Sequence, residues 1–226
     1  MERLLDNLKL RGGVGILLAA LLLLTGCPMQ QPSPKNQEIQ RAAETAQPKP
    51  EIQVRRSQEK PIRVNYLKPV QDITHPEIYV YKEKRRLYIM DEGVVVRDYP
   101  IGLGQTPQGD KTEQGDGRTP EGTFKICVKN PTSKFYLSLG IDYPQRKHAE
   151  NGLFNGTITP VQFGDIVAAL EHNQKPPWNT HLGGAIFIHG GGAHMDWTDG
   201  CVALYNSDMK ELFEITSVGT PVTILP

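Results

Sequence analysis

Neither sign of charge is in surplus in this chain: lysine plus arginine number 25, and so do aspartate plus glutamate. Nucleic acid is held chiefly by neutralising its phosphates, so a balanced chain lacks the electrostatic footprint of a nucleic-acid binder. No glycine-rich loop stands between a strand-like and a helix-like run, and neither a nucleotide nor a nucleotide cofactor is expected. Cysteine is scarce, with three residues in the chain. Cys27 belongs to the N-terminal segment, which leaves Cys127 and Cys201 either as a pair in an oxidising compartment or as separate thiols. His181, His189, His194, Asp196 and Cys201 are zinc-ligand types, but they follow none of the familiar ligand spacings, so no metal is expected. Long apolar runs are also missing. The run from Val14 to Leu24 is too short for a comfortable membrane span.

That short run is informative in its setting. It follows a basic start (Arg3, Lys9, Arg11) and ends in Leu24-Thr25-Gly26-Cys27, the three-part layout of a targeting segment over residues 1–26. Leu-x-Gly-Cys at this place resembles a bacterial lipobox, which implies that Cys27 is the lipidated first residue of the mature protein. The expected location is the cell envelope, lipid-anchored in a bacterial membrane on the extracytoplasmic side, facing the periplasm in a Gram-negative cell. From Pro28 to about Thr74 the chain is rich in Gln, Pro, Lys, Glu and Arg and poor in periodic apolar residues. Such a composition cannot bury enough surface to offset the entropy of ordering, so residues 27–75 are expected to be a lipidated N-terminus and flexible tether.

Residues 76–226 have the size of one domain. Ile78 and Val80 alternate with Tyr79 and Tyr81, Leu87 and Ile89 follow a Lys-Arg turn, and Val94 to Val96 follow Asp91-Glu92-Gly93. The alternation and the turn residues predict consecutive hairpins. Further strands are expected over Thr123–Val128, Phe135–Ile141 and Gly219–Leu225. Helices are expected over Thr159–Asn173, with Val161, Ile166, Val167 and Leu170 on one face, and over Asn206–Ile215, with Met209, Leu212 and Phe213 in the core. The fold class is therefore mainly β with a few helices, an α+β domain. Between the third and fourth strands lies a long stretch of Gly, Asp, Thr and Pro, and a loop of that length in a small domain is usually functional.

The chemistry-bearing stretch is IFIHGGGAHMDWTDGCVAL, from Ile186 to Leu204. An apolar run stops at His189, and a short loop leads to Cys201. An imidazole that takes a thiol proton and then stabilises the thiolate makes a nucleophile able to attack a carbonyl, so the thiolate is expected to form below its ordinary value of about 8.5. The glycines beside both residues suit close approach of a substrate backbone, and the Gly200 and Cys201 amides suit an oxyanion. A backbone carbonyl within Gly190 to Gly192 is expected to orient the second imidazole nitrogen. Asp199 is expected to shape the turn before the cysteine and Trp197 to anchor the loop. Arg118 and Lys111 are candidates for holding a substrate carboxylate.

Ile188-His189-Gly190 followed by Thr198-Asp199-Gly200-Cys201-Val202, together with the upstream segment Thr119-Pro120-Glu121-Gly122-Thr123-Phe124, resembles the YkuD-type L,D-transpeptidase catalytic domain. Many members have His at the place of Asp199 and Arg at the place of Ala203. The stretch from Asp196 to Ala203 looks more like a branch that includes hydrolases as well as transferases. The resemblance implies a β-rich catalytic domain acting on peptidoglycan peptide stems without a cofactor. Cys201 is then the nucleophile, His189 the proton acceptor and donor, Gly200 an oxyanion amide, and Arg118, Thr198 and Gly190 substrate contacts. It implies cleavage between an L-centre and a D-amino acid through a thioacyl-enzyme that passes to an amine. A hydrolase of the same or a protein-linked bond and a non-catalytic wall-binding lipoprotein are the alternatives.

The anchor is open to direct test. Cys27→Ala is expected to leave a precursor that takes up no fatty-acid label and is not normally cleaved, since the thiol is the acylation site. Equal labelling of the wild type and the substituted chain contradicts the lipobox reading.

Overall fold

The computed structural model describes residues 62–226; the targeting segment over 1–26 and the expected tether up to residue 61 lie outside the described residues. Nine strands form one mixed sheet in the order β1-β4-β3-β2-β9-β5-β6-β7-β8. They are β1 (Arg63–Val64), β2 (Pro76–Tyr81), β3 (Arg86–Asp91), β4 (Val94–Pro100), β5 (Gly122–Ser133), β6 (Tyr136–Ile141), β7 (Phe187–His189), β8 (Val202–Ala203) and β9 (Pro221–Leu225). Three helices accompany them: α1 (Arg146–Phe154), α2 (Pro160–Glu171) and α3 (Asn206–Ile215). The mainly β, α+β expectation is met.

The alternation in β2 and β3 has the expected consequence. Ile78, Val80, Leu87 and Ile89 are fully buried, while the tyrosines between them face outward. Glu92 and Gly93, both at positive φ, make the two-residue turn into β4, the geometry that matches the twist of a hairpin. Strict alternation fails in β4, where Val95 and Val96 are both buried. A bulge opposite Ile89 and Met90 accounts for it, because the extra residue lets two successive valines turn inward. The C-terminal strand β9 lies between β2, to which it is parallel, and β5, to which it is antiparallel. It therefore joins the N-terminal hairpins to the half of the sheet that carries His189 and Cys201.

α3 lays Met209, Leu212 and Ile215 onto the main core, whereas Phe213 is only partly buried. α2 starts as its sequence requires: the Thr159 hydroxyl accepts from the Gln162 amide and Gln162 reaches back to the Thr159 amide, with Pro160 at the first helical position. Its apolar face is narrower than the spacing predicts, since Ile166 is buried but Val161 is exposed. Ile166 packs with Ala149, Ile158 and Leu182 in a second, smaller cluster. α1 was not legible in the sequence. Its buried residues are His148, Ala149 and Gly152, which carry almost no apolar signal.

The domain begins earlier than residue 76. Within the expected tether, β1 pairs in parallel with Val94 and Val95, Ile73 joins the main core, and Lys68 pairs with the buried Asp91 carboxylate, which also accepts from the His75 amide at 2.8 Å. Composition hid this because the attachment uses backbone hydrogen bonds, the Lys68–Asp91 pair and the isolated apolar side chains of Val70 and Ile73 rather than an amphipathic run. A chain starting at Pro76 is expected to unfold at lower urea concentration than one starting at Ile62, by about 1.5–3 kcal/mol for exposing the Ile73 pocket alone. Equal midpoints contradict this boundary.

Candidate active site

β6, β7 and β8 place the reactive side chains. Leu139, Ile188 and Val202 are neighbours in register and all are buried in the core. Alternation then turns Ser138, Phe187 and His189 to the opposite face, and the same two-residue period places Cys201, one residue before β8, on that face with them. Phe187, His189, Ser138 and Cys201 line one groove of about 480 Å³.

The His189 ring is held on every side. Nδ1 lies 2.6 Å from the Gly190 carbonyl oxygen, so the proton it donates there fixes the tautomer and leaves Nε2 as the basic nitrogen. Phe135 stacks on the ring with centroids 4.6 Å apart, and Trp197 meets it edge-on at 5.5 Å. Trp197 is in turn anchored by its indole N–H, which donates to the Gly192 carbonyl at 3.1 Å. Sequence pattern pointed to Trp197 but not to Phe135, an aromatic at a hairpin end with no local signal of its role. Burial holds His189 below its ordinary value, the nearby Lys134 charge acts in the same direction, and the Gly190 carbonyl opposes them.

Cys201 ends a tight turn that Thr198 organises. The Thr198 hydroxyl, itself buried, donates to the Cys201 carbonyl at 2.8 Å and accepts from the Gly200 amide at 3.1 Å. This corrects one expectation. The Gly200 N–H is committed to Thr198 and is no free oxyanion donor, whereas the Cys201 N–H has no hydrogen-bond partner among the described residues. Thr198 lines the groove, and its hydroxyl is engaged within the turn. Gly200 must be glycine for another reason: its φ is +131°, and a Cβ there meets the Arg118 carbonyl oxygen at 2.6 Å.

Gly190 is likewise a packing position. A Cβ there meets Asn206 Oδ1 at 2.6 Å, and the residue does not line the groove; its carbonyl orients His189. Arg118 lines neither cavity beside Cys201, and its buried Nε has no partner among the described residues. Lys111 is buried and committed: it donates to Asp116 at 2.7 Å and to the Glu113 carbonyl at 3.0 Å. Asp116 also accepts from the amides of Thr112, Glu113 and Arg118, so this one carboxylate ties the long loop together. The groove also holds Lys134, which the sequence did not single out; its ammonium sits over the Phe135 ring, 4.9 Å from the centroid, and pairs with no carboxylate among the described residues.

The thiol is in a different state from the one expected. Cys127 and Cys201 are both free, which overturns the cystine alternative. Burial raises the Cys127 thiol to about 11, far from any reactive range. For Cys201, burial also pushes the thiol up and the Asp199 carboxylate adds to this, against the Phe187 amide, which donates to Sγ at 3.4 Å, and the Lys111 charge. Burial thus favours the neutral thiol and the neutral imidazole over a preformed ion pair. Chemically, a neutral thiol and a neutral imidazole with a free Nε2 suit proton transfer coupled to sulfur attack, and the unpaired Cys201 amide is a free donor.

A second cavity of about 330 Å³ reaches Cys201 from the side of the long loop. It shares Ala185, Asp199 and Cys201 with the first.

Comparison with known proteins places this geometry in a family. The model of the YkuD L,D-transpeptidase catalytic domain matches residues 75–224. No curated protein matches significantly. Among solved structures, the helical cell shape determining protein Pgp2 from Campylobacter jejuni is 21% identical, with a TM-score of 0.45 over 66% of this chain and 46% of that one. Bd1075 from Bdellovibrio bacteriovorus is 21% identical, with a TM-score of 0.42 over 69% and 49%. An L,D-transpeptidase from Mycobacterium smegmatis is 13% identical, with a TM-score of 0.40 over 67% and 59%. The chain thus spans about half the length of the first two and somewhat more of the third. On the family match, which covers well over half of the sequence, the chain belongs to the YkuD family of L,D-transpeptidase catalytic domains.

Proposed function

We propose that the domain is a cysteine acyltransferase of the peptidoglycan peptide stem. Cys201 attacks the carbonyl that joins an L-centre to the following D-amino acid, while His189 Nε2 takes the thiol proton and then delivers it to the leaving amine. Of the Gly200 and Cys201 amides expected from sequence, the Cys201 amide alone holds the oxyanion. The observation that carries this reading is the placement of Cys201 and His189 on one face of adjacent strands, in one groove, with Nδ1 bound to a carbonyl and Nε2 left basic. Lys134 suits a carboxylate of the bound stem. Passage of the thioacyl group to an amine is favoured over hydrolysis because two cavities, not one, open on the sulfur. In this proposal the lipid at Cys27 holds the enzyme on the extracytoplasmic side of a bacterial membrane, within reach of the wall.

Product analysis tests the proposal. Incubation with peptidoglycan fragments is expected to give crosslinked stems by mass; shortened stems alone identify a hydrolase, and no change with retained binding identifies a wall-binding protein. Cys201→Ser is expected to lose nearly all activity, at least about 10³-fold, while folding normally. Full activity in Cys201→Ala removes the mechanism.

The neutral pair sets a pH dependence. A group raised in the folded enzyme stays protonated until the pH passes that raised value, so alkylation of Cys201 in the ligand-free enzyme is expected to climb with an apparent pKa above about 8.5. An inflection below neutrality shows instead that the imidazolium and thiolate are already formed.

A further inference from the structure

The residues shared by the two cavities define the point where two substrates would meet. Of Ala185, Asp199 and Cys201, only Asp199 carries a charge. It is exposed, and its carboxylate makes no ion pair with any cation among the described residues. The second cavity has no free positive charge to balance it. Lys111 lies in its wall, but that ammonium is buried and held by Asp116 at 2.7 Å. The rest of the wall includes Gly115, Gly183 and Gly184, which offer carbonyls and little side-chain bulk. A primary ammonium fits that combination of a glycine-lined wall, a lysine already neutralised by Asp116, and one unpaired, exposed carboxylate. The first groove has the opposite character, with the ammonium of Lys134 in its wall.

We infer that Asp199 is the residue that recognises the acceptor amine, drawing a primary ammonium through the glycine-walled cavity to the thioester on Cys201. The inference rests on the acyl-transfer reading and specifies its second half. The acceptor nitrogen arrives carrying three protons. One is lost directly to solvent water at this exposed position as the ammonium leaves its pair with Asp199. The freed lone pair attacks the thioester carbonyl, and the C–N bond forms as the C–S bond breaks. His189 Nε2 takes the second proton and returns it to the departing sulfur, so Cys201 is again a thiol, and the third stays on the new amide. Asp199 thereby separates an amine acceptor from water, which has no charge for it to hold.

The test is the partition of a preformed acyl-enzyme. The full mature chain in detergent micelles is acylated on Cys201 with a stem peptide and mixed with 1-aminopropane over a range of concentrations, and amide and free acid are quantified by mass. D199N is expected to raise the half-saturating amine concentration about tenfold, as loss of one charge pair at a partly solvated site requires, with little change in the limiting rate of transfer. D199E is expected to recover most of that loss. The same D199N enzyme is expected to show its Cys201 alkylation profile moved to lower pH, which a merely structural role of Asp199 does not produce. An unchanged half-saturating concentration and an unchanged ratio of amide to acid in folded D199N overturn the assignment. Failure of the wild type to form any acyl-enzyme is a separate result, which removes the transfer reading itself and the inference with it.

Discussion

The pairing of β7 with β8 is the constraint on which the site depends. These strands are only three and two residues long, and their register is set by Ile188 and Val202 packing together in the core. A slip of one residue in either strand turns its outward side chain into the core and its core side chain out, which separates imidazole from thiol. The remaining architecture fixes that register. β6 flanks β7 on its other side. Gly102 and Ala203 exchange backbone hydrogen bonds at 2.9 and 2.8 Å, and the Thr198 amide donates to the Leu103 carbonyl at 3.1 Å. Short strands held by many neighbours are a rigid support for two side chains that must keep a fixed relation.

Polar groups that look like substrate contacts are largely spent on that support. Thr198 closes the cysteine turn, the Gly190 carbonyl holds the imidazole, and Lys111 is consumed by Asp116 in ordering the long loop. Arg85 and Asp196 form a two-pronged pair that also donates the Leu103 amide a partner, so the loop before the cysteine is tied to the first hairpin. Among the described residues, the groups near the sulfur without a hydrogen-bond or ion-pair partner include the Cys201 amide, His189 Nε2, Lys134 and Asp199. Burial favours the neutral form of both members of the central pair. In the proposed reaction, charge separation arises only while the sulfur attacks.

Much of this was legible from the sequence, and the limits have physical causes. Period-two alternation at Ile78, Val80, Leu87 and Ile89, the Glu92-Gly93 turn, and the Thr159-Pro160 cap are local signals, and each element they predict is present. Cys201 and His189 were legible because few arrangements put glycines beside both a histidine and a thiol. The roles of their neighbours were not, because Gly200, Gly190 and Thr198 act through backbone approaches between segments far apart in sequence, such as Gly200 against Arg118. β1 and α1 escaped for a related reason: one attaches by backbone bonds to Val94 and Val95, and the other buries a histidine, an alanine and a glycine. The thiol's state was misjudged because pattern shows the partner histidine but not the burial of both groups.

The central claim is that Cys201, activated by His189, becomes covalently bonded to a stem peptide. Intact-protein mass spectrometry of the mature chain shortly after mixing with a stem tetrapeptide measures this directly. The account gives a population heavier by the acyl fragment, lacking the leaving D-amino acid, with the added mass mapped to Cys201 and its accumulation slowed about 10²-fold or more in His189→Ala. An adduct mapped to any other residue, or the same rate of accumulation without the imidazole, contradicts it.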